Sequence, residues 1–201
     1  MTDQLAVVTG AARGMGAAVA RRLAASGWSL VLVDACAPQP PLSYPMPTPA
    51  DLDAVARDCR AAGAPRVDTL VADVGDGAAR GKIRAAVGER APAAAVAVAG
   101  VISGHFAWNE PDDAFDLMLR VNLYGVRHLA DACVPAMVAA GSGRFVAVSS
   151  AAAGIRSPTA ARILPRAAPS PTSATSVSTR GAPAARQSPA IASRSAGVGM
   201  G

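Results

Sequence analysis

Thr9-Gly10-Ala11-Ala12-Arg13-Gly14-Met15-Gly16 stands between an apolar run, Leu5–Val8, and a segment with helical apolar spacing. Glycine at position 10 permits a tight turn out of a strand, and glycines at 14 and 16 let the backbone and a helix N-terminus approach an anion. The helix dipole and the unserved N–H groups of such a helix start favour the oxygens of a pyrophosphate. Three glycines alone equally describe a turn with a tightly packed helix. Here a strand precedes, a helix follows, and Asp34 closes the next strand 18 residues after Gly16, which is the context of a dinucleotide cradle. Arg13 and Met15, inside the loop, join the same candidate set. A carboxylate at Asp34 can accept bonds from both hydroxyls of an adenosine ribose and would repel a 2′-phosphate, so NAD is expected rather than NADP. The alternative for Asp34 is an ordinary strand-end acid. Asp73, closing a later strand, is placed either to meet the adenine edge or to cap its own turn.

Positioning these residues requires alternating strands and helices. Leu5–Val8 reads as a buried parallel strand. A helix is expected from Gly14 to about Ser26, with Val19 and Leu23 on one face and Gly27 as its stop. Leu30–Val33 is a second strand. The proline-rich stretch from Pro38 to Pro49 is a loop, followed by a helix from Asp51 to about Ala62 that turns Leu52, Val55, Ala56 and Cys59 inward. Thr69–Ala72 is a third strand, a helix carrying Ile83 and Val87 follows, and Ala93–Ala99 is a fourth strand. A long helix is expected from Asp112 to Ala139, its apolar stripe including Phe115, Leu119, Leu123, Val126, Leu129 and Met137, with a kink near Pro135. Arg144–Val148 is a fifth strand ending at Ser149 and Ser150. This alternation predicts an α/β fold with a doubly wound parallel sheet, and no internal repeat interrupts it.

The net charge of +5 raises the question of nucleic acid, and its distribution answers it. Residues 1–156 carry 13 Arg and one Lys against 14 acids, while residues 157–201 carry five Arg and no acid. Almost no aromatic residue stands near those arginines for bases to stack on, so no nucleic-acid partner is expected. Eighteen Arg against one Lys, with abundant Ala, suggest a GC-rich coding sequence. Cys36, Cys59 and Cys133 show neither CxxC nor metal-ligand spacing, and their odd number argues against a disulfide framework. They are expected to be small, buried or half-buried apolar residues in a reducing compartment, with no metal site. Met1-Thr2-Asp3-Gln4 lacks a basic n-region, and no stretch approaches the roughly 18 uninterrupted apolar residues of a spanning helix. A cytoplasmic protein with no membrane partner is the expectation.

After Arg156 the pattern stops. Residues 157–201 hold eight Ser, six Pro and four Thr, no aromatic residue, and six of Val, Ile, Leu and Met without a sustained period. Such a segment cannot bury enough apolar surface to offset an ordering cost of roughly 1–2 kcal/mol per residue. It is read as a disordered tail behind a dinucleotide-binding domain of residues 1–156.

As a set, these residues resemble the short-chain dehydrogenase/reductase family. Thr9–Gly16 has its TGxxxGxG spacing, Asp73-Val74 resembles its adenine-contacting pair, and Val98-Ala99-Gly100 stands where the family carries Asn-Ala-Gly. Arg120-Val121-Asn122-Leu123 resembles the helix bearing the family's catalytic Asn, and Gly143–Ser150 resembles the strand that ends in its catalytic Ser. The resemblance covers residues 5 to about 156. It implies a Rossmann-type sheet, truncated after the fifth strand, with NAD held by Gly10, Arg13, Gly14, Met15, Gly16, Asp34, Asp73, Val74, Ala99 and Gly100. It also implies hydride transfer with a small alcohol or ketone, Ser150 and Asn122 as catalytic residues, and homo-oligomers, which a truncated chain is not expected to form. Cys36 after the acid, Tyr44-Pro45, and Thr48-Pro49-Ala50-Asp51-Leu52 resemble more narrowly the mycofactocin-coupled subgroup, carveol dehydrogenase among them. Members of that subgroup hold NAD tightly, and the enlarged loop is expected to fold over its adenosine half.

In the family a Tyr acts as general acid/base on the substrate oxygen, and a Lys four residues later lowers its pKa and holds the ribose. Neither is in this chain: Tyr44 is followed at that spacing by Thr48, Tyr124 by His128, and the one Lys is Lys82. His105, after the fourth strand, either faces the substrate end of the cleft or is solvated, and His128 is expected to make a surface or packing contact. Two readings therefore stand, an NAD-dependent oxidoreductase and a catalytically inactive dinucleotide-binding remnant. A shift of reading frame near residue 156 would explain the tail's composition. The family's Tyr would fall near Ile163, where reading from the third base permits Tyr-Ser-Ala-Ala. The codon straddling 166 and 167 cannot encode Lys, so a single shift does not restore every catalytic residue.

Overall fold

The computed structural model describes residues 4–105, 108–150 and 172–178. Five strands, β1 (Leu5–Thr9), β2 (Ser29–Asp34), β3 (Val67–Val71), β4 (Ala94–Ala97) and β5 (Arg144–Ser150), pair in parallel. A sixth, β6 (Thr172–Ser178), joins antiparallel, giving the order β3-β2-β1-β4-β5-β6. The order reverses direction between β1 and β4, so the loops leaving the C-terminal ends of these two neighbours part and open a crevice. This is the doubly wound sheet that the alternation predicts, of the Rossmann type that the resemblance implies.

Each inner strand buries both faces, with successive side chains going to opposite layers. Leu5, Val7, Val31, Val33, Ala95 and Ala97 join one core cluster, with Ile83, Leu129, Cys133 and Met137. Ala6, Val8, Leu30, Leu32, Ala94 and Val96 join the other, with Ala17, Ala20, Leu52, Val55 and Cys59. Thus α1 (Gly14–Ala24) and α2 (Pro49–Ala61) cover one face. The opposite face is covered by α3 (Ala79–Val87), α4 (Asp112–Leu119) and α5 (Gly125–Ala139). Leu52, Val55, Ala56 and Cys59 turn inward as expected, and Thr48 caps α2 in a reciprocal box with Asp51. All three cysteines are buried and free. Among the described residues no helix is long and apolar enough to cross a membrane.

The long helix departs from its expected form. A π-helical turn, Arg120–Tyr124, separates α4 from α5, and Pro135 lies inside α5. The expected stripe is also wrong in its first half, because Phe115, Leu119 and Leu123 are 51, 38 and 59% exposed. The buried line is instead Leu117, Val121, Gly125, Leu129, Cys133 and Met137. A four-residue repeat drifts by about 40° per step on an ideal helix of 3.6 residues per turn. The wider π turn takes up part of that drift and keeps the line facing the sheet.

β6 pairs along all of β5, from Arg144↔Ser178 to Ser150↔Thr172. An open edge offers a row of unpaired N–H and C=O groups, and Thr and Val in the segment suit an extended backbone. The rest of residues 157–201 lies outside the described residues.

Candidate functional site

Two glycines fix the floor of the crevice. Gly10 has φ of 66°, and a Cβ there would lie 2.8 Å from the Ala99 backbone. A Cβ on Gly16 would lie 2.0 Å from the Gly10 carbonyl oxygen, so the first turn of α1 can pack this closely only without a side chain. Thr9 ties the same region together, its Oγ1 accepting from the N–H groups of Val98 and Ala99 at 3.2 and 3.3 Å. No side chain caps the N-terminus of α1, and no acid occupies its first turn.

Asp34, 7% exposed at the end of β2, does more than face the crevice. Its Oδ2 accepts the Ala12 N–H at 3.0 Å and its Oδ1 the Cys36 N–H at 3.2 Å. One carboxylate thus joins the glycine loop to the start of the next loop. That tie was not visible in spacing alone. Cys36 sits at φ 49°. Burial pushes its thiol up to about 11, and the carboxylates of Asp34, Asp51 and Asp53 add to the effect.

The cleft above this floor holds about 230 Å³ and opens to solvent. All ten residues assigned to the cofactor from sequence line it: Gly10, Arg13, Gly14, Met15, Gly16, Asp34, Asp73, Val74, Ala99 and Gly100. Asp73 combines its two expected positions. It lines the cleft while its Oδ1 accepts the Gly75 N–H at 2.8 Å, and Gln39 Nε2 donates to its Oδ2 at 3.4 Å.

The proline-rich loop returns over this cleft. Arg13 Nη1 donates to the Pro45 carbonyl at 2.6 Å, Nη2 contacts Met46 Sδ at 3.5 Å, and the guanidinium lies 5.7 Å from the centroid of the Tyr44 ring. Tyr44 Oη accepts the Ile102 N–H at 3.2 Å, so the loop spans from the glycine turn to the segment after β4. Gln39, Met46 and Pro47 become part of the wall. Sequence reasoning placed the loop here but did not single out these residues.

A second, more open cleft of about 900 Å³ shares Arg13, Met15 and Val98–Val101 with the first. Asn122 and Ser150 both line it. Asn122 stands in the π-helical turn and clasps Val101 twice, Oδ1 accepting its N–H and Nδ2 donating to its carbonyl, each at 2.8 Å. The π turn is a common device at functional sites, since it re-aims one side chain within a helix. His105 lies instead in a depression between Pro41–Tyr44 and Ile102–Gly104. His128 bonds the carbonyl of Val74 at 2.8 Å and stacks on Tyr124, a contact to the Asp73-Val74 turn that the sequence did not foretell.

These residues suit a dinucleotide. A Cβ on Gly14 would meet no protein atom within 4 Å, leaving that side of the loop open for a ligand. The uncapped helix start offers N–H groups to a pyrophosphate, and the Asp34 carboxylate retains lone pairs for hydroxyls.

Residues 4–162 match the short chain dehydrogenase family. An uncharacterized NAD-dependent oxidoreductase of Mycobacterium tuberculosis is 35% identical over 76% of this chain and 56% of its own length. The (-)-trans-carveol dehydrogenase of Rhodococcus erythropolis is 33% identical over the same shares, 76% and 56%. The crystal structure of carveol dehydrogenase from Mycobacterium avium in complex with NAD superposes with a TM-score of 0.72 at 33% identity. That match covers 77% of this chain and 57% of the other. The chain therefore spans a little over half the length of the relatives it matches.

Proposed function

The chain belongs to the short-chain dehydrogenase family, and from that premise we propose that it is an NAD-dependent oxidoreductase acting on a small alcohol or ketone. The observation that carries the reading is a single cleft joining an uncapped helix start to the buried Asp34 carboxylate. When bound, the nicotinamide would supply the hydride acceptor or donor.

The chain's own residues then have distinct tasks. Arg13, Gly14, Met15 and Gly16 would surround the pyrophosphate, and Asp34 would take the ribose hydroxyls and disfavour a 2′-phosphate. Asp73 and Val74 would meet the adenine, and Ala99 and Gly100 would line the passage between the two clefts. Ser150 would donate to the substrate oxygen, and Asn122 would hold the Val101 segment beneath it. The Arg13–Tyr44–Ile102 strap supports assignment to the mycofactocin-coupled, carveol dehydrogenase-like subgroup, with a tightly held cofactor.

The absence of YxxxK favours a second reading, a dinucleotide-binding chain without turnover. A steady-state assay of the full chain with NAD and a panel of secondary alcohols separates the two. Turnover above that of a Ser150→Ala control supports the oxidoreductase. Turnover equal to the control, with NADH binding intact, leaves the binding protein.

A further inference from the structure

The turn that carries Asp73 and Val74 into the cleft is held from behind by α5. His128 Nδ1 lies 2.8 Å from the Val74 carbonyl oxygen. A carbonyl only accepts, so Nδ1 carries the proton and the imidazole donates. The same peptide unit uses its other end, the Gly75 N–H, to bond Asp73 Oδ1 at 2.8 Å. Two hydrogen bonds thus run in series through one peptide, from imidazole to carbonyl and from amide to carboxylate. An amide whose oxygen accepts a bond donates better from its nitrogen, and such chains strengthen each member by about 10–30%.

Packing leaves this peptide little freedom. A Cβ on Gly125 would fall 2.7 Å from Val74 Cγ2. One on Gly75 would fall 3.1 Å from Asp73 Oδ1 and 3.3 Å from Arg120 Cβ. The His128 ring is itself aligned by Tyr124, with centroids 6.4 Å apart and planes at 24°. Asp73's other oxygen has the longer bond, 3.4 Å, to Gln39 on the proline-rich loop. Asp73 and Val74 line the cleft, whereas His128 does not.

We propose that His128 is a positioning residue for adenine recognition. It sets the Val74 carbonyl and, through the Gly75 amide, the Asp73 carboxylate, so base selectivity depends on a side chain that does not line the cofactor cleft. The proposal rests on the NAD reading above.

Its test uses the full chain as wild type, His128→Leu and His128→Asn, whose amide N–H can stand where Nδ1–H does. Each is titrated, by nicotinamide fluorescence, with NADH and with reduced nicotinamide hypoxanthine dinucleotide, which lacks the adenine amino donor. His128→Leu should weaken NADH binding about fivefold, the loss of roughly one hydrogen bond, and change the hypoxanthine analogue less than NADH. Amide exchange at Gly75 in the ligand-free chain should quicken in the same variant, and His128→Asn should restore most of both properties. Equal affinity of His128→Leu and wild type for NADH would overturn the proposal, as would an equal loss for both dinucleotides. A wild-type chain that binds neither dinucleotide would overturn the NAD reading and the proposal with it.

Discussion

Asp34 joins two functions in one side chain, and substitutions can separate them. Its carboxylate ties Ala12 to Cys36 through their N–H groups and brings a negative charge to the cleft. Asp34→Ala removes both the tie and the charge, so both cofactors should bind less well than geometry alone would allow. Asp34→Asn removes the charge and keeps one acceptor. In both variants the ratio of NADPH to NADH dissociation constants should fall about tenfold or more, since the repulsion of a 2′-phosphate is gone. Parallel fluorescence titrations with the two cofactors measure it, and an unchanged ratio would show that the charge does not set the choice. Asp34 was legible in the sequence because the motif and the acid are both local signals. The partners of Asn122 and His128 were not. Their bonds reach Val101 and Val74, 21 and 54 residues away, and no periodicity encodes such a distance.

At the scale of elements, strand and helix order was legible from alternating apolar runs and glycine stops. Buried parallel strands and amphipathic helices carry their pattern in every residue. The π turn was not, because the extra residue that creates it is compensated by a steady four-residue repeat of buried side chains. Nor was β6, whose ladder rests on backbone groups that every sequence possesses. Its role as an edge cover can be tested with the double substitution Ala174→Pro and Val177→Pro. These two positions differ in parity, so at least one removes a ladder donor facing β5. The outward amides of Arg144–Ser150 should lose hydrogen-exchange protection, and the chain should self-associate more in sedimentation, as an open edge does. Protection unchanged at β5 would mean that the pairing contributes nothing to that strand.

The whole molecule is a sheet with one cleft at the glycine loop and a second beside it. Both core layers close around β1, β2 and β4, and the crevice between β1 and β4 follows from strand order alone. Asn122 and Ser150 reach a shared cleft, while no YxxxK occurs in the 201 residues. We therefore propose that this chain binds NAD with Asp34 as arbiter, whatever its turnover. Titration of the purified 201-residue chain with NADH and with NADPH, following nicotinamide fluorescence, tests it most directly. NADH should bind saturably and at least about tenfold tighter than NADPH, in keeping with a like charge beside a 2′-phosphate. Absence of NADH binding, or equal affinity for the two, would contradict it.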